Sequence, residues 1–196
     1  MVSSSVLTGF GVLALASAAA APVKTDSPTN VVYRANFNNT VTGSLTFSST
    51  NGSVLVGVAL ENLPLSGGPF IYHIHEKTVP ANGNCTATLG HFNPYNGTTT
   101  ALTAAEMEVG DLSGKHGSIN GTSYHASYID EYLSLNPDDE SYFANLSIVV
   151  HYANTTRIAC ANITQDSIQV SDGAAKTIGG VAAWLPLAAG AAALLM

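Results

Sequence analysis

All six histidines of the chain, His73, His75, His91, His116, His125 and His151, fall between residues 73 and 151. Imidazole nitrogen is a ligand for copper, zinc, iron and nickel, so their grouping raises the question of a metal centre. His73 and His75 stand two apart in an apolar segment, and alternate residues of a strand leave the same face. That spacing makes a two-nitrogen clamp, with Ile74 directed to the other side. His151 closes the apolar run 146–150, which reads as a second strand able to lie beside the first. His91 belongs to Gly90-His91-Phe92-Asn93-Pro94, where a tight turn can fix its ring. Three or four nitrogens in a flattened arrangement would favour Cu(II). A His-x-His pair also occurs as plain surface decoration, so the rest of the chain has to support the metal reading.

Such side chains need a rigid frame, and the frame reads as all-β. In 41–48, Val41, Leu45 and Phe47 fall on one face and Thr42, Ser44, Thr46 and Ser48 on the other, the period of a half-buried strand. Further strands are predicted over 31–37, 54–61, 70–75, 142–152 and 157–163. Breakers separate them: Asn51-Gly52, Pro64, Ser66-Gly67-Gly68, Asn82-Gly83 and Asn136-Pro137. There is no long helical periodicity and no internal repeat between the termini, which points to a sandwich or barrel. Residues 79–117 lack sustained alternation and read as a long loop region, a kind of segment that tends to be functional.

The chain's 196 residues allow one domain. With 6 basic against 13 acidic residues and a net charge of −7, it could not neutralise a run of phosphates, which excludes a nucleic-acid partner. Mean hydropathy is +0.22 because apolar residues collect at the two ends. Residues 6–16 form an apolar run too short to span a bilayer, followed by small residues with Ala-x-Ala patterns, so 1–21 is expected to be a cleaved secretory signal, although no Lys or Arg precedes the run. Residues 178–196 are apolar to the last position, behind the small residues Ser171, Asp172, Gly173, Ala174 and Ala175 and the spacer Lys176. Small residues, spacer and apolar tail form a GPI-anchor signal, a plain tail anchor being the alternative. The expected division is therefore signal 1–21, barrel domain 22–172 and anchor propeptide 173–196. Asn-x-Ser/Thr sequons at Asn38, Asn51, Asn84, Asn96, Asn120, Asn145, Asn154 and Asn162 fit an extracellular glycoprotein. In an oxidising compartment the two cysteines, Cys85 and Cys160, most simply pair. Closing that loop would stabilise the fold by roughly 4 to 5 kcal/mol in the chain-entropy picture.

His73-Ile74-His75-Glu76, Cys85, Gly90-His91-Phe92-Asn93-Pro94, Gly110-Asp111-Leu112, Val149-Val150-His151 and Arg157-Ile158-Ala159-Cys160 resemble, in that order, the copper/zinc superoxide dismutase family. The resemblance runs from about residue 29 to residue 163. It implies an eight-stranded Greek-key β-barrel with long loops, one copper ion per chain held by His73, His75, His91 and His151, a Cys85–Cys160 disulfide, and Arg157 as the guide for superoxide. His116 and His125 match no ligand position.

Two departures narrow the resemblance. The family's bridging histidine, here His91, also binds zinc with two further histidines and an aspartate, but between His91 and Asp111 this chain has no histidine, and Glu108 stands three before Asp111. Asp111 alone cannot hold zinc, so the zinc site is expected to be absent. In its place Glu108 is expected to orient His91 through the ring nitrogen not on copper, with Asp111 supporting the loop backbone. The family also usually carries a long charged loop before the arginine, whereas only 152–156, all uncharged, separate His151 from Arg157. Copper should then be open to solvent. Both departures resemble the fungal copper-only, GPI-anchored, extracellular superoxide dismutases. They imply conversion of superoxide to dioxygen and hydrogen peroxide by a monomeric protein at the cell surface or in the cell wall. The alternative is a non-catalytic copper-binding or structural wall glycoprotein on the same fold.

Overall fold

Alternation decides which side of each strand is inside. Tyr33, Ala35 and Phe37, then Leu45 and Phe47, then Val54, Val56, Val58 and Leu60 are all buried, with their chain neighbours turned outward or half-covered. The computed structural model describes residues 20–166. Within it, seven strands form one curled antiparallel sheet: β1 (Val32–Asn38), β2 (Thr42–Thr50), β3 (Ser53–Glu61), β4 (Ile71–His75), β5 (Tyr124–Asp130), β6 (Ser147–His151) and β7 (Arg157–Gln165). Their order is β4-β6-β7-β1-β2-β3-β5. The meander β1-β2-β3 is followed by a strand at the opposite edge, and the next returns to β3, a Greek-key path. Phe47 against Phe143, with ring centroids 4.9 Å apart, marks the core.

The barrel is all-β as expected, with seven strands rather than eight. The segment around Ile119, where an eighth would run, makes only a bridge: Phe70 and Ile119 exchange two backbone hydrogen bonds of 2.8 Å. Gly117 and Gly121, both at φ +100°, turn the chain away on either side of it. β5 was not among the strands predicted, because its apolar Ile129 is exposed and its Asp130 is buried, which blurs the alternation. The strand predicted over 142–152 shrinks to β6. The region 79–117 contains two 3-10 turns (Cys85–Thr88 and Ala104–Glu106) and a five-residue helix, α1 (Leu112–His116). Apart from residues 20 and 21, the secretory segment and the anchor propeptide lie outside the described residues.

β4 has β6 on one side, and its other edge is fully taken. At Phe70 the partner is Ile119; the Tyr72 amide donates to Ser113 Oγ, which donates back to the Tyr72 carbonyl; Ile74 N–H donates to Gly110 O at 2.9 Å and Ile74 O accepts from Phe92 N at 2.9 Å. The long connection between β4 and β5 is thus stitched to the strand carrying His73 and His75. A Cβ at Gly110 would stand 2.5 Å from the Ile74 carbonyl, so this close approach requires glycine.

Candidate metal centre

Four of the six histidines converge. His73, His75, His91 and His151 each offer a ring nitrogen, and those four atoms all lie within 4.8 Å of one another. β4 supplies His73 and His75 from one face, and β6 supplies His151. A β-bulge at Val150/His151 sets His151 opposite Arg157 at the start of β7. His91 arrives from the long connection, bridged to His75 by the stitching just described. His91 stacks on His73 with centroids 3.9 Å apart, and His75 stacks on His151 at 5.2 Å.

In each ring one nitrogen is held by a protein oxygen and the other is left for the cluster. Nδ1–H of His75 donates to Leu89 O at 3.0 Å, and Nδ1–H of His151 to Thr155 O at 2.9 Å. A carbonyl only accepts, so both Nε2 atoms carry lone pairs. Those Nε2 atoms face each other at 3.1 Å, an arrangement that a cation between them relieves. His91 Nδ1–H is bound by Glu108 Oε2. His73 Nε2 lies 3.4 Å from Asp111 Oδ1, and its Nδ1 is buried with no hydrogen-bond partner. A buried orphan nitrogen beside opposed lone pairs fits an imidazole-bound metal ion.

Burial keeps three of these rings, those of His73, His75 and His151, neutral. It pushes His75 down to about 3 and His151 to about 4, against the opposing hydrogen bonds from Leu89 and Thr155. Burial also lowers His73, despite Asp111 beside it. Asp111 is held below the ordinary carboxylate range: burial alone would raise it, but the hydrogen bonds from His73 and the Gly114 amide prevail. These three rings are therefore unprotonated at neutral pH and could take a metal ion without a proton having to leave first.

Around this centre, Cys85 and Cys160 form a disulfide. Arg157 donates from Nη1 to Cys85 O and from Nη2 to Leu89 O, so one loop holds both the guanidinium and His75. Glu108 Oε2 contacts His91 Nδ1. Asp111 does more than support the loop: besides capping α1 through Gly114 N at 2.7 Å, it reaches His73. His116 and His125 stand apart, His116 bonded to Asp130 at 2.9 Å and His125 to Glu61 at 2.7 Å. The carbonyls of Leu89, Thr155 and Cys85 were invisible to sequence reasoning, since any residue has one. Only the nearness of Leu89 to His91 and of Thr155 to Arg157 could have hinted at them.

Fold and centre together define a Greek-key barrel protein with a cluster of four imidazoles that could hold a metal ion. Residues 41–176 match the profile of the copper/zinc superoxide dismutase family, and the chain belongs to that family. It is 50% identical over 163 residues to the cell surface Cu-only superoxide dismutase 5 of Candida albicans, covering 81% of this chain and 72% of that protein. It is 49% identical over 163 residues to the cell surface Cu-Zn superoxide dismutase 4 of the same organism, covering 81% and 70%. A solved Cu(II) structure of the Candida albicans superoxide dismutase 5 superposes with a TM-score of 0.68 at 50% identity, over 76% of this chain and 99% of that one.

Proposed function

We propose that the protein is an extracellular copper-only superoxide dismutase, held at the cell surface by a GPI lipid and acting as a monomer. The observation that carries this reading is the set of four converging imidazoles, each with one nitrogen occupied by the protein and one directed into a common space. His73, His75, His91 and His151 would hold one copper ion. When bound there, copper supplies the electron exchange by which one superoxide becomes dioxygen and a second, taking up two protons, becomes hydrogen peroxide.

The chain's own residues do the rest. Arg157 is always charged and presents a planar fork of donors, and two carbonyl contacts fix its plane, so an incoming anion meets an oriented positive group. Glu108 holds the His91 ring at Nδ1 and increases the basicity of the opposite nitrogen. The net charge of −7 repels superoxide at long range, so attraction is confined to roughly a Debye length of 10 Å around Arg157. Secretion, the anchor and glycans at exposed sequons such as Asn51, Asn96, Asn120 and Asn154 complete the reading, supported by the sequence signals at both ends and by the cell-surface relatives.

The test is metal analysis of the protein secreted from the full chain, followed by superoxide disappearance after copper loading. One copper and no tightly held zinc per chain, with copper-dependent turnover, is expected. Tight copper without turnover would replace the enzyme by a copper-binding protein, and no tight copper would leave a wall glycoprotein.

A further inference from the structure

One buried charge lies outside the functions described so far. Lys115, on α1, has a side chain only 1% exposed, and Asp130, at the end of β5, is 0% exposed. The Lys115 ammonium donates to Asp130 Oδ2 at 2.7 Å and to Val109 O at 2.7 Å, and lies 5.7 Å from the centroid of the Tyr132 ring. His116, stacked on Tyr128 with centroids 3.9 Å apart, also reaches Asp130. Burial alone would raise the Asp130 carboxyl, yet the Lys115 charge and the hydrogen bonds from His116 and Lys115 hold it below the ordinary range. Desolvating such a pair is costly, and well-packed apolar residues would often serve stability as well. What an apolar pair could not do is grip a carbonyl.

That carbonyl belongs to Val109, between the two residues whose carboxylates touch the imidazoles. Glu108 holds His91, and Asp111 both approaches His73 and caps the helix that carries Lys115. The other end of the grip is Asp130 on β5, at the opposite edge of the sheet from β4. We infer that Lys115 is a positioning residue for the metal centre: its ammonium fastens the 108–111 segment to the barrel wall at Asp130, and so sets where Glu108 and Asp111 meet His91 and His73. The inference rests on the proposed copper site for its consequence, but the fastening itself belongs to the metal-free chain.

The decisive variant is the pair Lys115→Met with Asp130→Asn, which removes both buried charges and avoids stranding either. In the secreted, metal-free protein, amide hydrogen exchange at Val109, Gly110 and Asp111 should accelerate by about tenfold or more while β1–β3 stay protected, a readout independent of activity. After copper loading, the Cu(II) paramagnetic resonance spectrum should change, and superoxide turnover should fall by about tenfold. Adding Glu108→Gln to the pair should cost less than the product of the two separate losses, because the Glu108–His91 contact is common to both. Unchanged exchange at 109–111, an unchanged Cu(II) spectrum, or losses that multiply would overturn the inference. Should the pair not fold, Lys115→Arg keeps the charge but alters the donor geometry. Faster exchange at 109–111 is expected there as well, and native exchange would overturn the inference. Loss of turnover in the unmodified protein, with exchange behaving as expected in the variants, would instead count against the enzymatic reading alone.

Discussion

Two connections frame the metal centre, and they are built on opposite principles. Residues 76–123 are long and irregular, yet they are stitched to Phe70, just before β4, and to Tyr72 and Ile74 within it, and pinned by a buried ion pair. Residues 152–156 are short, uncharged and mostly exposed, joined within themselves by Tyr152 N to Thr156 O at 2.9 Å and to the rest by Ala153 N to Gly67 O at 2.9 Å. Length therefore does not measure looseness here. The long side carries the carboxylate that contacts His91, and the short side carries no charge between His151 and Arg157.

The difference is testable from the larger effect downward. Glu108→Gln, on the long side, should lower turnover by about 10- to 100-fold while copper remains bound. A fully active variant would remove the orienting role and with it half of the contrast. Arg157→Met, on the short side, should lower turnover by about tenfold at low ionic strength, the gap narrowing as salt screens the field. An equal loss at all salt concentrations would mean that the arginine acts by contact alone. Ala153→Lys adds one cation to the exposed turn and should raise the low-salt rate by about twofold, measured by stopped-flow decay of superoxide. No gain would mean that the open side is not limited by long-range repulsion.

The smallest effect concerns protons. In the unfolded chain the histidines titrate near 6.5, whereas in the fold His75 and His151 stay neutral to about 3 and about 4. Between those limits the unfolded state binds more protons, so stability rises with pH. The melting temperature of the metal-free protein should hold above pH 6.5 and fall by several degrees as pH drops from 6.5 toward 4. A flat profile would mean that the rings are not buried neutral in solution.

How much of this could be read beforehand follows from where the chemistry resides. The four converging histidines and the cysteine pair were legible because their side chains are distinctive and their order matches a family. Glu108 was legible for a different reason, since it stands where the second metal's ligands are missing. Lys115 was not, because a lysine in Gly114-Lys115-His116-Gly117 reads as a solvated loop cation until its side chain is seen buried against Asp130 at the end of β5. β5 itself escaped because the buried charge network inverts its pattern, placing Asp130 inside and Ile129 outside. The backbone acceptors were beyond reach, for a carbonyl's role depends on direction and sequence carries no direction.

The fully partnered outer edge of β4 has a bearing on life at high density. A strand with vacant amides offers a template on which a neighbour's strand can grow, and proteins packed side by side on a surface meet such neighbours continually. Here Phe70, Tyr72 and Ile74 have no vacancy left to offer. Many copies can crowd together without this strand seeding aggregation.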